Sequence, residues 1–309
     1  MRLLLYIPST KTADEWHAAF ARALPEAEWR AWTPGLDWQA DYAAFWHPPG
    51  ELLAGQTRLK AAFNLGAGVD AAIKALALPA GVPLVRLEDA GMGRQMDEYV
   101  SWAVLRYFRR LDEYALQQAR AEWKVHRPRL HGDFTVGVMG LGVLGARVAR
   151  TLLGLGFPVL GWSASGRPVD GVRCFGGAKQ LDAFLAATNA LVCFLPLTPD
   201  TAGLLNRVTL SRLPRGAYVI NVARGGLIVD DDLLALLDDG HLAGATLDVF
   251  HEEPLPAPHR FWSHPRVFLT PHCSAVTLVE DSVAQVAGKI RRIERGEPIT
   301  GIVDPARGY

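Results

Sequence analysis

Residues 135–148 read TVGVMGLGVLGARV, and no other stretch restricts the fold of this chain so tightly. A short apolar run, Thr135–Met139, leads into Gly140-x-Gly142-x-x-Gly145, and an apolar-periodic segment follows through Leu155. That order is a strand, a tight glycine turn and a helix start. The first glycine permits the turn, the second lets backbone approach a phosphate, and the third lets the helix pack on the strand. A dinucleotide pyrophosphate would sit on the open N–H groups and positive dipole end of the new helix, which begins at Val143 and Leu144. A lone GxGxxG is weak, but here both flanks have the required character, which a glycine-rich surface turn does not account for.

A chain of 309 residues favours two domains, each able to bury a core. Half of the residues are apolar and the formal net charge is zero, so no global field attracts nucleic acid or anionic lipid. The basic cluster Arg106, Arg109 and Arg110 lies among acids on a helical pattern and reads as a solvated face. The three cysteines, Cys174, Cys193 and Cys273, fit neither a disulfide framework nor a CxxC metal knuckle. No metal site is expected. The opening MRLLLYIPS has too short an apolar run for a signal peptide, and no stretch is long enough to span a membrane. A reduced, cytoplasmic compartment is expected.

Strand-like runs alternate with amphipathic segments, which argues for parallel-sheet α/β architecture. Strands are expected at Leu3–Ile7, Tyr42–Trp46, Ala61–Asn64 and Leu84–Leu87. Thr12-x-x-Glu15 reads as a capping box opening a helix to about Leu24. A helical pattern runs from Met92 to about Lys124, long enough for a domain spacer or dimer surface. A second series then offers six strands: Phe134–Met139, Pro158–Trp162, Ala190–Phe194, Tyr218–Asn221, Ala245–Val249 and Val267–Leu269. Together they make a doubly wound nucleotide-binding domain. A helix from Ser274 to about Arg295 would return to the first domain. The expectation is a Rossmann-type domain, residues 92–283, inserted into a smaller discontinuous substrate domain of residues 1–91 and 284–309.

Ligands of open α/β sheets bind beyond the carboxyl ends of the strands. Strand Tyr218–Asn221 runs into Arg224, strand Ala245–Val249 into His251-Glu252-Glu253, and strand Val267–Leu269 into Thr270-Pro271-His272. An arginine fork fits a carboxylate and polarises a neighbouring carbonyl. A histidine is the natural proton donor near neutral pH, and a carboxylate beside it balances its charged form. With a nicotinamide, this set suits reduction of a 2-oxo acid, His272 giving the proton to the developing alkoxide. Most of the nine histidines must be structural or surface residues, and His272 stands out because it follows a buried strand and Thr-Pro. Arg224 as a surface ion-pair partner is disfavoured by its glycine neighbours and apolar strand. Adjacent residues of an extended segment point opposite ways, so only one of Glu252 and Glu253 can face the site.

These segments resemble the D-isomer-specific 2-hydroxyacid dehydrogenase family over nearly the whole chain. The shared blocks are GLGVLG at Gly140–Gly145, LPLTPDTAGLLN at Leu195–Asn206, NVARGGLIVDDDLL at Asn221–Leu234, LDVFHEEPLP at Leu247–Pro256 and TPH at Thr270–His272. The resemblance implies Arg224, Glu253 and His272 as the catalytic residues, with Glu253 orienting His272. It gives Asp248 to the nicotinamide carboxamide, the Leu197-Thr198 turn to the nicotinamide ribose, and Ala223 to the cofactor site. It also implies a flavodoxin-like substrate domain and a homodimer.

The first domain narrows the branch. FWHPPGELLAG at Phe45–Gly55, FNLGAGVDA at Phe63–Ala71 and RLEDAGMGRQMDEYV at Arg86–Val100 resemble the bacterial glyoxylate and hydroxypyruvate reductases. That resemblance has the backbone N–H groups of Ala67, Gly68 and Val69 holding the substrate carboxylate, a physically sensible anion nest. A plain strand-to-helix turn is the bland alternative, and for the glycines both readings hold. Trp46 and Met92 are candidates for the wall of a small pocket, with core burial the alternative for each.

An NAD-selective site usually carries an acid about 20 residues beyond the glycine turn, bonded to the ribose 2′-hydroxyl. Here the strand ends in Ser163-Ala164-Ser165-Gly166-Arg167. Two hydroxyls and an arginine suit a 2′-phosphate, so NADP is preferred and NAD is the alternative. Relatives in this branch tend to carry arginine between the serines, where this chain has Ala164. Cys273 reads either as a redox-sensitive thiol or as a small packed residue, the latter favoured.

The expected function is NADPH-dependent reduction of glyoxylate, hydroxypyruvate or a close relative. The alternatives are an NAD-linked D-lactate or D-phosphoglycerate dehydrogenase and a dinucleotide-sensing protein without turnover. Against the phosphoglycerate alternative, no extra regulatory domain is expected to fit in the residues left after Gly301.

Overall fold

A parallel strand buried on both faces must be apolar along its whole length, and that requirement sorts this chain into two sheets. The computed structural model describes residues 1–8, 10–304 and 307–308. Within it the chain divides into two units, Met1–Met92 with Thr277–Tyr309, and Gly93–Val276.

The first unit opens with β1 (Arg2–Tyr6), α1 (Thr10–Ala23), β2 (Glu28–Ala31), β3 (Tyr42–Phe45), β4 (Ala61–Asn64), α2 (Asp70–Ala75) and β5 (Leu84–Arg86). All its strand pairs are parallel, in the order β2-β1-β3-β4-β5, which is the flavodoxin-like arrangement. Leu4, Ala43, Phe45, Ala62 and Leu84 from four of these strands form one core layer with Leu52, Leu53, Val69 and Ala72. Two expectations need correction here. Helix α1 already begins at Thr10, so Thr12 lies inside the first turn and its box does not start the helix. Strand β2 was not expected, because it is a largely exposed edge strand (EWRA) with no apolar run.

The second unit holds α3 (Met92–Phe108) over nearly its whole length, then α4 (Leu111–Ala119), β6 (Val136–Met139), α5 (Val143–Gly154), β7 (Val159–Ser163), β8 (Arg173–Gly176), α6 (Leu181–Ala186), β9 (Ala190–Cys193), α7 (Arg207–Leu210), β10 (Ala217–Asn221), α8 (Asp230–Asp238), β11 (Leu242–Leu247) and β12 (Val267–Leu269). The strands pair in parallel in the order β12-β11-β10-β9-β6-β7-β8. That is the Rossmann order with one strand added beyond β11. Side chains alternate between the two faces. Val136, Val138, Ala190, Val192, Tyr218 and Ile220 pack with α3 and α5, while Met139, Leu191, Cys193, Ala217 and Val219 pack with α6, α7 and α8.

The helix expected from Met92 to Lys124 is two helices. Arg110 sits between α3 and α4 in the left-handed region, φ 57°. Its guanidinium bonds forward to Glu113 at 2.7 Å and to the Arg127 carbonyl at 3.1 Å, which stabilises the break. The sheet also has a seventh strand, β8, that the six expected ones omitted. Like β2 it is a part-exposed edge and carries no continuous apolar run.

After β12 the chain returns to the first unit at Thr277, ahead of α9 (Val279–Glu294), rather than at residue 284 inside it. A helix is one rigid rod, and the buried stripe Val283, Val286, Ala287 and Ile290 commits all of α9 to packing, with α1 among its neighbours. Ile290→Ala is expected to cost about 2–4 kcal/mol of stability, read as a lower urea midpoint. A midpoint matching wild type would show that this stripe does not hold α9.

Candidate active site

The order of strands along the sheet reverses between β6 and β9, and that is where the glycine turn lies. Gly140 follows β6 with φ 104°, and a Cβ there would come within 2.7 Å of the Phe194 backbone beyond β9. At Gly145 a Cβ would lie 1.9 Å from the Gly140 carbonyl oxygen. These two glycines let strand, turn and helix touch through bare backbone. Gly142 caps α5 without a side-chain bond, and a Cβ on it would meet nothing within 4 Å. The N–H groups at Val143 and Leu144 thus open a helix with no acidic residue in its first turn, as a phosphate site requires.

At the end of β7, Ser163 organises its loop. Its carbonyl accepts from Gly166 and Gly177 N–H, and its hydroxyl accepts from Arg167 N–H at 3.2 Å. Ala164, Ser165 and Arg167 are exposed, and the Arg167 guanidinium enters no ion pair among the described residues. Among the described residues, Ser163 to Arg167 at this strand end include no carboxylate.

Arg224, Glu253 and His272 follow the carboxyl ends of the adjacent strands β10, β11 and β12. Asn221, wholly buried at the end of β10, fixes the first of them. Its amide donates to the Arg224 carbonyl at 2.9 Å and accepts from Ala223 N–H at 3.1 Å. Gly225 lets this turn lie on the next loop, since a Cβ there would be 1.9 Å from the Phe250 carbonyl carbon. The half-buried Arg224 guanidinium touches the Ala223 carbonyl at 2.7 Å.

The geometry separates the two glutamates. Glu253 accepts from Phe250 N–H at 2.9 Å through one oxygen and meets His272 Nδ1 at 2.7 Å through the other. Glu252 is exposed. A carboxylate on Nδ1 makes that nitrogen the donor and leaves Nε2 for chemistry. His251, in the same loop as Glu253, instead donates Nε2–H to the Ile228 carbonyl at 2.7 Å.

His272 is held in the left-handed region, φ 51°, a conformation worth about 1–2 kcal/mol of strain for a side chain like this. Asp248 maintains it. The wholly buried Asp248 carboxylate accepts from Cys273 N–H at 2.8 Å, Ser274 N–H at 2.9 Å and the Thr270 hydroxyl at 2.6 Å, while its carbonyl accepts from His272 N–H at 2.8 Å. Because Thr270 donates to Asp248, Tyr99 must donate to Thr270, across 2.5 Å. Cys273 is exposed rather than packed away. Partial desolvation and the Asp248 carboxylate push its thiol upward, the opposite of an activated thiolate.

Leu197 packs on Gly226 beside the Arg224 turn, and Thr198 accepts its place from Thr201, whose hydroxyl takes Thr198 N–H at 2.8 Å. In the first unit, the loop of Gly66, Ala67, Gly68 and Val69 joins β4 to α2, and Trp46 is half-buried with its ring over Gly66. Met92 is buried, which fits its core alternative. Sequence reasoning passed over Asn64, Tyr99, Asn221 and Thr270. Asn64 and Asn221 each end a buried strand, and a polar side chain there was the available signal.

The model for the D-isomer specific 2-hydroxyacid dehydrogenase NAD binding domain matches residues 101–274. Among curated proteins, a glyoxylate/hydroxypyruvate reductase A from Serratia proteamaculans is 50% identical over the full length of both chains, and one from Yersinia enterocolitica is 49% identical over the same extent. Among solved structures, a D-isomer specific 2-hydroxyacid dehydrogenase from Xanthobacter autotrophicus, in complex with NADPH and MES, is 40% identical with a TM-score of 0.94 over 99% of each chain. An NADPH-dependent glyoxylate/hydroxypyruvate reductase from Sinorhizobium meliloti, in complex with NADP and sulfate, is 38% identical with a TM-score of 0.93, covering 100% of this chain and 99% of that one.

The contact at Gly145 generates a direct test. Gly145→Ala forces its new methyl against backbone that cannot yield, so NADPH affinity in a fluorescence titration should fall by at least about tenfold. Affinity equal to wild type would remove the pyrophosphate from this turn.

Proposed function

The chain belongs to the D-isomer-specific 2-hydroxyacid dehydrogenase family, and within it we propose an NADPH-dependent reductase of small 2-oxo acids that turns glyoxylate into glycolate and hydroxypyruvate into D-glycerate. The observation that carries this reading is the linkage Phe250 N–H to Glu253 to His272, beside Arg224 at one sheet edge. It is what carbonyl reduction needs from a protein: one cation for the acid and one oriented proton donor.

When bound, the cofactor would supply the hydride for the carbonyl carbon. Gly140, Gly142, Gly145 and the N–H groups at Val143 and Leu144 are assigned to its pyrophosphate, and Ser163, Ser165 and Arg167 to its 2′-phosphate. Leu197, Thr198, Ala223 and Asp248 are assigned to its nicotinamide end. Three donors already use Asp248, so a carboxamide would share a carboxylate whose observed work is structural.

Arg224 binds the substrate by its planar fork and polarises the carbonyl. Ala67, Gly68 and Val69 offer backbone N–H groups to the substrate carboxylate. As charge develops on the carbonyl oxygen, His272 donates its Nε2 proton there. Glu253, fixed by Phe250 N–H, keeps the imidazole ring aimed and balances its charge. The exposed Arg167 and the missing strand-end acid support NADPH over NADH. A cytoplasmic setting is part of the proposal, supported by three free cysteines and by the absence, among the described residues, of a helix able to cross a membrane. So is a homodimer, supported by the apolar surface of Trp123, Val125 and Leu130, of which Trp123 is 99% exposed. Monomeric mass in light scattering would remove that part.

Steady-state oxidation of NADPH and NADH should be compared with glyoxylate, hydroxypyruvate, pyruvate and phenylpyruvate. NADPH with the two small acids should be fastest. Cofactor binding without oxidation by any acid would favour the dinucleotide-sensing reading instead. His272→Asn should lower kcat by about 10²–10⁴-fold with NADPH affinity retained. Arg167→Ala should raise KM for NADPH and leave that for NADH nearly unchanged, and equal changes in the two would sink the 2′-phosphate assignment.

A further inference from the structure

An anion nest works only if its carbonyl groups point away from the anion, and in the first unit one buried side chain enforces that. Asn64, at the end of β4, is 3% exposed. Its amide nitrogen donates to the Gly66 carbonyl at 3.0 Å and to the Gly68 carbonyl at 2.9 Å. Both partners are acceptors only, so the nitrogen and not the oxygen must face them. Leu87 N–H adds a second bond to the Gly66 carbonyl at 3.1 Å. The peptide planes of the loop are thereby turned with their oxygens inward. The other edges of these two planes carry the N–H groups of Ala67 and Val69, with the Gly68 N–H between them, and none of the three donates to a protein acceptor among the described residues.

Trp46 also packs on this loop. A Cβ on Gly66 would stand 2.1 Å from Cζ3 and 2.8 Å from Cη2 of that indole, so only a bare glycine backbone admits the ring here. Asn64 fastens the loop from within and Trp46 presses on its first residue.

Resting on the reading that this loop takes the substrate carboxylate, we infer that Asn64 is the positioning residue for substrate recognition. It touches neither substrate nor cofactor. It fixes the loop's N–H groups in the converging arrangement a carboxylate needs, ahead of binding, so that the substrate does not have to order them. Its loss should therefore appear in the affinity for small carboxylates and much less in the rate of the chemical step.

The probe is oxalate, titrated by calorimetry into the NADP-loaded protein, alongside hydroxypyruvate steady-state kinetics for wild type, Asn64→Ala and Asn64→Asp. In Asn64→Ala the oxalate Kd and the hydroxypyruvate KM should each rise about tenfold, with kcat changed less than about threefold and NADP affinity unchanged. Asn64→Asp keeps the size but turns a carboxylate oxygen toward two carbonyls, so its loss should be larger than that of Asn64→Ala. Lowering the pH protonates the introduced carboxyl and restores one donor, so its oxalate Kd relative to wild type should fall toward acid. A thermal melt identifies any variant that fails to fold, and the isosteric Asn64→Asp stands in if Asn64→Ala does. Oxalate affinity in folded variants within about twofold of wild type would overturn the inference. Weakened oxalate binding in variants of a wild type that reduces no 2-oxo acid would uphold the inference and overturn the proposed reaction instead.

Discussion

The site in the second unit depends on one buried carboxylate. Asp248 follows β11 with no exposed surface, and three donors converge on it from the neighbouring chain segment. A buried charge without such partners would cost several kcal/mol, roughly, so the turn and the carboxylate require each other. The consequence is felt at His272, whose left-handed backbone is tolerated because the residues on either side are tied to Asp248. Strain of this kind persists only where the surroundings over-determine it, and it is characteristic of functional positions.

The same logic extends across the sheet. Parallel strands deliver their carboxyl ends to one edge, and a wholly buried polar residue stands at two of those ends: Asn221 on β10 and Asp248 just beyond β11. Each uses its buried polar atoms to shape the loop that follows. Asn221 sets the Arg224 turn, and Asp248 sets the His272 turn. Asn64 at the end of β4 repeats the device in the other unit. The reactive side chains themselves remain part-exposed, as Glu253 and His272 are, because rigidity is supplied by the groups beneath them.

Much of this was legible in the chain because its physical cause is local. A strand buried on both faces must read as a continuous apolar run, so β6, β9 and β10 announced themselves. A GxGxxG between such a strand and a helix marks the pyrophosphate turn. The edge strands β2 (EWRA) and β8 (RCFG) lack that run and went unseen, whereas the edges β5 and β12 are apolar and were legible. The break at Arg110 was hidden because the side chains continue a helical pattern while one φ angle does not. The choice between Glu252 and Glu253 was beyond spacing alone, since it depends on Phe250 N–H and on which side chain reaches His272. Tyr99 and Thr270 lie 171 residues apart, a hydrogen bond no local pattern signals.

The central claim is that the Asp248 carboxylate holds the His272 turn. Backbone hydrogen exchange at Cys273 and Ser274, compared between wild type and Asp248→Asn, tests it most directly. Both amides should be protected in wild type and should exchange markedly faster in the variant, with β10 and β11 still protected. Unchanged protection at both amides in the variant would mean that something other than this carboxylate presents His272.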